Sequence, residues 1–262
     1  MKATEKFRAE PGLRLRDKDA KAHAEPDKAS LDKMLDDISD LQEMLYAERK
    51  RKLLIVLQGT DTSGKDGTVR HLFSKINPMG LRAVGFRSPT EIEAAHDFLW
   101  RIHREVPKAG EIAVFNRSHY EDVLVTRVQG SITRAECQRR YAQIRDFERM
   151  LAESGTTIVK LYLHISKDEQ RERLQARADN PHKHWKFDPE DLKQRDLWKD
   201  YLKAYADAIT ETDADHAPWF IVPANSKPYR NEVVARLLLE TLKAMRLDWP
   251  PPDKRLARLK VL

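Results

Sequence analysis

The apolar run Leu53-Leu54-Ile55-Val56-Leu57 empties into Gln58-Gly59-Thr60-Asp61-Thr62-Ser63-Gly64-Lys65-Asp66-Gly67-Thr68. A short continuous apolar run suits a strand buried on both faces. The glycines and lysine that follow, and the polar start of a helix after them, make this the strand, loop and helix of a phosphate-binding P-loop. Gly59 and Gly64 let the backbone curl so that successive amides face inward, and the next helix adds its positive N-terminal end. Lys65 supplies a point charge for a phosphoryl oxygen. Thr62, Ser63, Asp66, Gly67 and Thr68 complete the candidate phosphate- and nucleotide-binding set. Two departures are informative. Asp66 stands where the usual loop has a Ser or Thr whose hydroxyl holds magnesium. Asp61 puts an acid where anionic phosphate must approach, which is tolerable with a divalent cation between them.

Around this unit, strand and helix signals alternate. Apolar residues at helical spacing from Leu31 to Leu45 follow a capping Ser30. The loop helix runs over 65–76 and ends at Asn77-Pro78. Strands are expected over 82–86, 111–115, 157–165 and 219–223. Thr90 with Glu93, Thr133 with Glu136 and Ser166 with Glu169 open helices over 90–104, 133–155 and 166–178. Pro181 breaks the next stretch, a long helix follows over 189–212, and the last helix spans 232–245. The pattern predicts an α/β fold of the P-loop kinase type: one parallel sheet, helices on both faces and a helical lid. The expected organisation is an N-terminal arm (1–29), one domain (30–248) with its lid at about 168–200, and a tail (249–262).

At 262 residues the chain can bury one good core. No apolar run approaches the roughly 18 residues needed to span a bilayer, and the first residues carry no apolar leader core. A single cysteine, Cys137, excludes an internal disulfide framework and fits a reducing cytoplasm. A formal charge of +6 suits a polyanionic partner, and equally a surface of solvated lysines.

Three groups outside the loop are candidates. Arg117, in Phe115-Asn116-Arg117-Ser118-His119-Tyr120-Glu121-Asp122, emerges where a core strand ends, and its guanidinium can fork two phosphoryl oxygens. Structural pairing with a neighbouring acid is the competing reading. His119 and Tyr120 read as packing or hydrogen-bonding residues. The lid carries Lys167, Arg171, Arg173, Arg177, Lys183 and Lys186; such a lid closes over a transferred phosphoryl group and excludes water. A solvated charged helix is the bland alternative. His182 and His184 lack the further ligands of a zinc site. Lys75, Arg82, Arg87, Arg101 and His103 would line a polyanion channel if they converge on the sheet's ligand edge, and otherwise form solvated surface.

From residue 31 to 246 these motifs together resemble the second family of polyphosphate kinases, which move phosphoryl groups between inorganic polyphosphate and nucleotides. The resemblance rests on the P-loop, Asn77-Pro78-x-Gly80, Pro89-Thr90, Phe98-Leu99-Trp100-Arg101, the Arg117 segment and Trp185-Lys186-Phe187. It implies a P-loop core with a lid, dependence on magnesium (manganese as an alternative), polyphosphate in a basic channel, and a homo-oligomer. Asp61, Lys65 and Arg117 match the family's catalytic residues. Asn116, where many members have Asp, resembles the class III subgroup that phosphorylates both AMP and ADP to give ATP. That shifts the second metal ligand toward Glu121, with Asp122 beside it. Two rivals make distinct predictions. An ordinary ATP-dependent nucleotide kinase ignores polyphosphate. An RNA-binding P-loop module binds in a salt-sensitive way without turnover. Neither a nucleic-acid motif nor a membrane segment is visible.

Overall fold

A computed structural model describes residues 1–254; residues 255–262 of the expected tail lie outside the described residues. In chain order the elements are α1 (Ala3–Lys6), α2 (Lys28–Glu48), β1 (Lys52–Gln58), α3 (Lys65–Leu72), β2 (Leu81–Gly85), α4 (Glu91–Ala94), α5 (Trp100–His103) and β3 (Ile112–Asn116). They continue with α6 (Glu121–Val128), α7 (Arg134–Glu153), β4 (Thr156–His164), α8 (Lys167–Ala178), α9 (Glu190–Asp196), α10 (Trp198–Thr212), β5 (Trp219–Pro223) and α11 (Lys227–Ala244). The strands form one parallel sheet in the order β2-β3-β1-β4-β5.

The unbroken apolar run of β1 has a direct cause. Leu53, Ile55 and Leu57 face a core shared with α2, α3 and α11, while Leu54 and Val56 face a second core shared with α6, α7 and α10. Strand order turns at β1, between β3 and β4. In such sheets the crevice beyond the carboxyl ends of the strands is where ligands bind. The P-loop opens there.

Several boundaries differ from the sequence expectation. The 90–104 segment is two short turns, α4 and α5, because the Asp97 carboxylate accepts from the Leu99 amide and interrupts the ladder. The 189–212 helix breaks at Leu197 into α9 and α10. Helix α6 has no counterpart in the sequence reading. Helix α11 starts earlier, since Ser226 caps it and Pro228 is accommodated in its first turn. The N-terminal arm is tied down rather than loose. Glu240 accepts the Ala3 and Thr4 amides at 2.8 Å, and residues 7–9 exchange backbone bonds with Trp219 and Ile221 of β5. The arm thereby covers an edge that would otherwise be open to pairing.

Candidate active site

The phosphate loop joins β1 to α3 with a backbone that few residues can follow. Gly59 has φ +154° and Gly64 φ +98°. A Cβ on Gly59 would lie 2.7 Å from the Leu163 carbonyl, and one on Gly64 would collide with a guanidinium nitrogen of Arg230. Lys65 is buried, its Nζ donating to the carbonyls of Gly59 (2.7 Å) and Thr60 (3.3 Å). Burial, helped by the Arg117 charge, pushes the Lys65 ammonium down to about 8, against the opposing pull of Asp61, Glu121 and Asp66. A lysine so placed is an under-compensated cation, suited to an anion.

Facing it, β3 ends and Arg117 turns into the left-handed region at φ +63°, its amide donating to the Leu57 carbonyl at 3.1 Å. Its guanidinium lies 2.7 Å from the Asp61 carboxylate. Burial disfavours the Arg117 charge, but Glu121 and Asp61 outweigh it and hold the group protonated. Glu121 opens α6 close to the same charges; burial raises its carboxyl against the influence of Arg117 and Lys65. Asp61, Lys65, Arg117 and Glu121 therefore form one cluster.

Asp122 does not join it. Its carboxylate lies 3.4 Å from Arg101, beside a cavity of about 530 Å³ lined by Pro89, Glu93, Phe98 and Arg140 among others. Side chains at successive helix positions point in different directions, so Glu121 and Asp122 cannot share one site from the same turn.

Polar atoms lacking a partner gather at the loop. Gln58 Oε1, Thr60 Oγ1, Thr62 Oγ1 and Ser63 Oγ are buried and unbonded. Each such group costs on the order of 1–3 kcal/mol, so four in six residues mark a place built for a ligand. The Tyr201 hydroxyl on α10 is likewise buried and unbonded, near the charges of Asp61 and Glu121. Asp191 on α9 belongs to the same surroundings; burial and Asp61 push its carboxyl up to about 6 against the pull of Arg177.

The lid residues divide. Lys186 Nζ donates to Asp66 at 2.9 Å, and Asn116 donates to the other Asp66 oxygen at 2.7 Å. Burial alone would raise the Asp66 carboxyl; those two bonds lower it. Asp66 thus links the loop, the end of β3 and the lid. Arg177 donates to the Lys186 carbonyl and lies 3.8 Å from Asp191, while Lys183 is exposed. Arg173 is placed differently from the expectation. Its guanidinium donates to the carbonyls of Thr62, Ser63, Ala224 and Asn225 and to Glu169, bracing the loop from outside. Its donors are spent on protein carbonyls rather than held toward a ligand.

The five channel candidates do not converge. Lys75 follows α3 and pairs with Asp36 at 2.6 Å, and Arg82 opens β2 and pairs with Glu105 and Glu111. Both lie toward the amino edge of the sheet, away from the loop. His103 packs edge-on against Phe147. Arg87 and Arg101 remain at the carboxyl edge, where Arg101 donates to the Arg87 carbonyl at 2.7 Å.

Sequence reasoning missed Arg230, Asp191 and Tyr201. Arg230 is 3% exposed against Gly64, and burial with the neighbouring Arg173 charge pushes it down to about 10. All three sit on helices whose periodicity marks a buried face and says nothing of which loop that face meets.

The polyphosphate kinase 2 family model matches residues 21–250. The AMP/ADP-polyphosphate phosphotransferase of Meiothermus ruber is 54% identical over 216 residues, covering 82% of this chain and 81% of that protein. The ADP-polyphosphate phosphotransferase of Rhodopseudomonas palustris is 42% identical over 225 residues, covering 81% and 78%. The crystal structure of polyphosphate kinase 2 from Arthrobacter aurescens TC1 superposes with a TM-score of 0.91 at 43% identity, covering 97% of this chain and 93% of that one. No helix among the described residues is long and apolar enough to cross a membrane. Alike in sequence along most of its length and in fold along nearly all of it, this chain belongs to the polyphosphate kinase 2 family.

Proposed function

We propose that the chain transfers the terminal phosphoryl group of inorganic polyphosphate to a nucleotide phosphate, with AMP and ADP both as acceptors and ATP as the final product. The observation that carries this reading is the meeting of Lys65, Arg117, Asp61 and Glu121 around a loop with four unbonded buried polar atoms. The names of the Meiothermus and Rhodopseudomonas relatives support polyphosphate as donor, and the former supports both acceptors.

An acceptor phosphate is already anionic near neutral pH, so the chemistry asks for positioning and charge neutralisation more than for a base. Lys65 and the loop amides hold the reacting phosphates. Arg117 leaves Asp61 to fork oxygens of donor and acceptor. Lys186 and Arg177 close the lid and keep water from intercepting the phosphoryl group. The broken and formed bonds are both phosphoanhydrides, so transfer runs in either direction.

A divalent cation fits the oxygens present. Asp61 and Glu121 would hold it, with Gln58 Oε1 as an unbonded neutral oxygen beside them. Among the described residues no three or more His, Cys, Asp or Glu gather into a closed cage. The two carboxylates suit magnesium, which binds through one or two carboxylates and completes its shell with phosphate and water, with manganese as the alternative. When bound, it neutralises phosphoryl charge during transfer. Asp122, held by Arg101, does not fit this role.

The test is ATP formation from AMP and from ADP with polyphosphate as sole donor. Product from both is expected. Product from ADP alone removes the dual-acceptor reading; transfer from ATP with none from polyphosphate replaces it with an ordinary nucleotide kinase.

A further inference from the structure

Behind the Arg117 loop lies a charged cluster that the transfer does not touch. Glu148 on α7 and Lys160 on β4 are buried completely, with Lys160 Nζ 2.6 Å from Glu148 Oε2. Lys160 also donates to the Thr212 carbonyl at 2.8 Å and to the Tyr120 hydroxyl at 3.0 Å. Tyr120 in turn donates to Glu148 Oε1 at 2.8 Å, and His119 Nε2 lies 3.3 Å from the same oxygen. His119 Nδ1 is buried without a partner. Trp219 closes one side and donates to the Thr212 hydroxyl.

A buried ion pair is poor currency for stability, because apolar side chains of the same volume do as well or better. What distinguishes this one is where its bonds go. They hold residues 119 and 120, the two positions immediately before Glu121 and just after Arg117. Arg117 itself sits at φ +63°, a conformation that an arginine keeps only when its surroundings over-determine it. From the front, the Leu57 carbonyl accepts its amide, and Ser118 Oγ accepts from both Gln58 and the Tyr120 amide. From behind, Glu148 holds the polar ends of His119 and Tyr120, while Phe147 and Trp219 pack edge-on against their rings.

We propose that Glu148 and Lys160 are positioning residues: through His119 and Tyr120 they hold the 116–121 loop so that Arg117 and Glu121 face Lys65 and Asp61. The pair touches no substrate. Glu148 supplies the shared acceptor oxygen, and Lys160 keeps that carboxylate ionised and oriented. This rests on the phosphoryl-transfer reading, which fails separately if the unaltered enzyme transfers from neither polyphosphate nor ATP.

The experiment is a double-mutant cycle on kcat for whichever transfer the unaltered enzyme performs, with melting curves for every variant. Glu148→Met with Lys160→Met removes both charges together and takes away the acceptor. Glu148→Gln with Lys160→Met also removes both charges but keeps an acceptor oxygen. The Met/Met variant is expected to lose about tenfold to a hundredfold in kcat, the scale of small misplacements of reacting groups. In an Arg117→Ala background its further loss is expected to be under about twofold, since residues acting as one unit are not additive. The Gln/Met variant should recover most of the kcat. If Met/Met keeps its kcat, or loses the same factor in both backgrounds, the pair only stabilises the fold and the proposal is overturned. Should Met/Met not fold, Tyr120→Phe, which deletes one hydroxyl and keeps the ring, carries the same cycle with the same two readings.

Discussion

Replacing Lys65 with methionine separates what the loop lysine costs the fold from what it does for phosphate. In the folded chain the ammonium is pushed from 10.5 down to about 8, first by burial and then by Arg117. In the unfolded chain it titrates near 10.4. Below about pH 8 the folded protein therefore carries a charge it disfavours, and stability is lost relative to high pH. Between about 8 and 10.5 the unfolded state binds more protons than the folded one, so this penalty is relieved as pH rises. Linkage puts the penalty at about 3 kcal/mol near pH 7.5 and about 1 kcal/mol near pH 9.5. Methionine has no such dependence. Contributions common to both proteins cancel in the difference. Urea melts of both proteins near those two pH values should show wild type gaining about 2 kcal/mol on Lys65→Met as pH rises. Loss of the two bonds to Gly59 and Thr60 shifts the difference at every pH and leaves its slope intact. The variant should also lack transfer activity. A stability difference that does not move between the two pH values would refute the argument that this ammonium is held at an electrostatic disadvantage for the sake of an anion.

Asp66→Ala frees Lys186 and Asn116 at once, so the lid should open more readily; a change in emission from the exposed Trp185 and a raised KM, with kcat less affected, are the expected readouts. Tyr201→Phe deletes a hydroxyl that has no partner in the free protein. Its melting point should hold or rise while kcat/KM falls about tenfold, the size of one lost bond to a charged group. A drop in melting point with activity intact would show a bond within the fold instead. Arg82→Ala removes ion pairs with Glu105 and the buried Glu111 and donors to the Glu105 and Val106 carbonyls, so it should cost about 1–3 kcal/mol by denaturant melt and leave the KM for polyphosphate unchanged.

The amino-acid sequence by itself determined the parallel α/β class and the phosphate loop. Each is written in short-range terms. A strand buried on both faces must be continuously apolar, a loop curling around phosphate needs glycine at positions such as 59 and 64, and caps such as Thr133 and Ser166 satisfy amides of their own helix. That residues 58–68 and 115–121 meet was decided by the sheet, where β3 rather than the next strand in sequence, β2, pairs with β1. Tertiary structure alone decided the partners of the remaining charges. Arg173 and Lys186 belong to the same basic lid, yet one is consumed by backbone carbonyls behind the loop and the other meets Asp66 in front. Lys75 and Arg82 are cationic side chains like Arg101 but emerge at the opposite edge of the sheet. A cation's sequence position carries no record of which carboxylate or carbonyl will face it. The side chain is long and its partner lies anywhere from a dozen to more than a hundred residues away; only packing of the two helical layers on the sheet brings them together. Glu148 and Lys160 are the clearest case, since periodicity alone would place both in an apolar core and only the fold supplies each with the other.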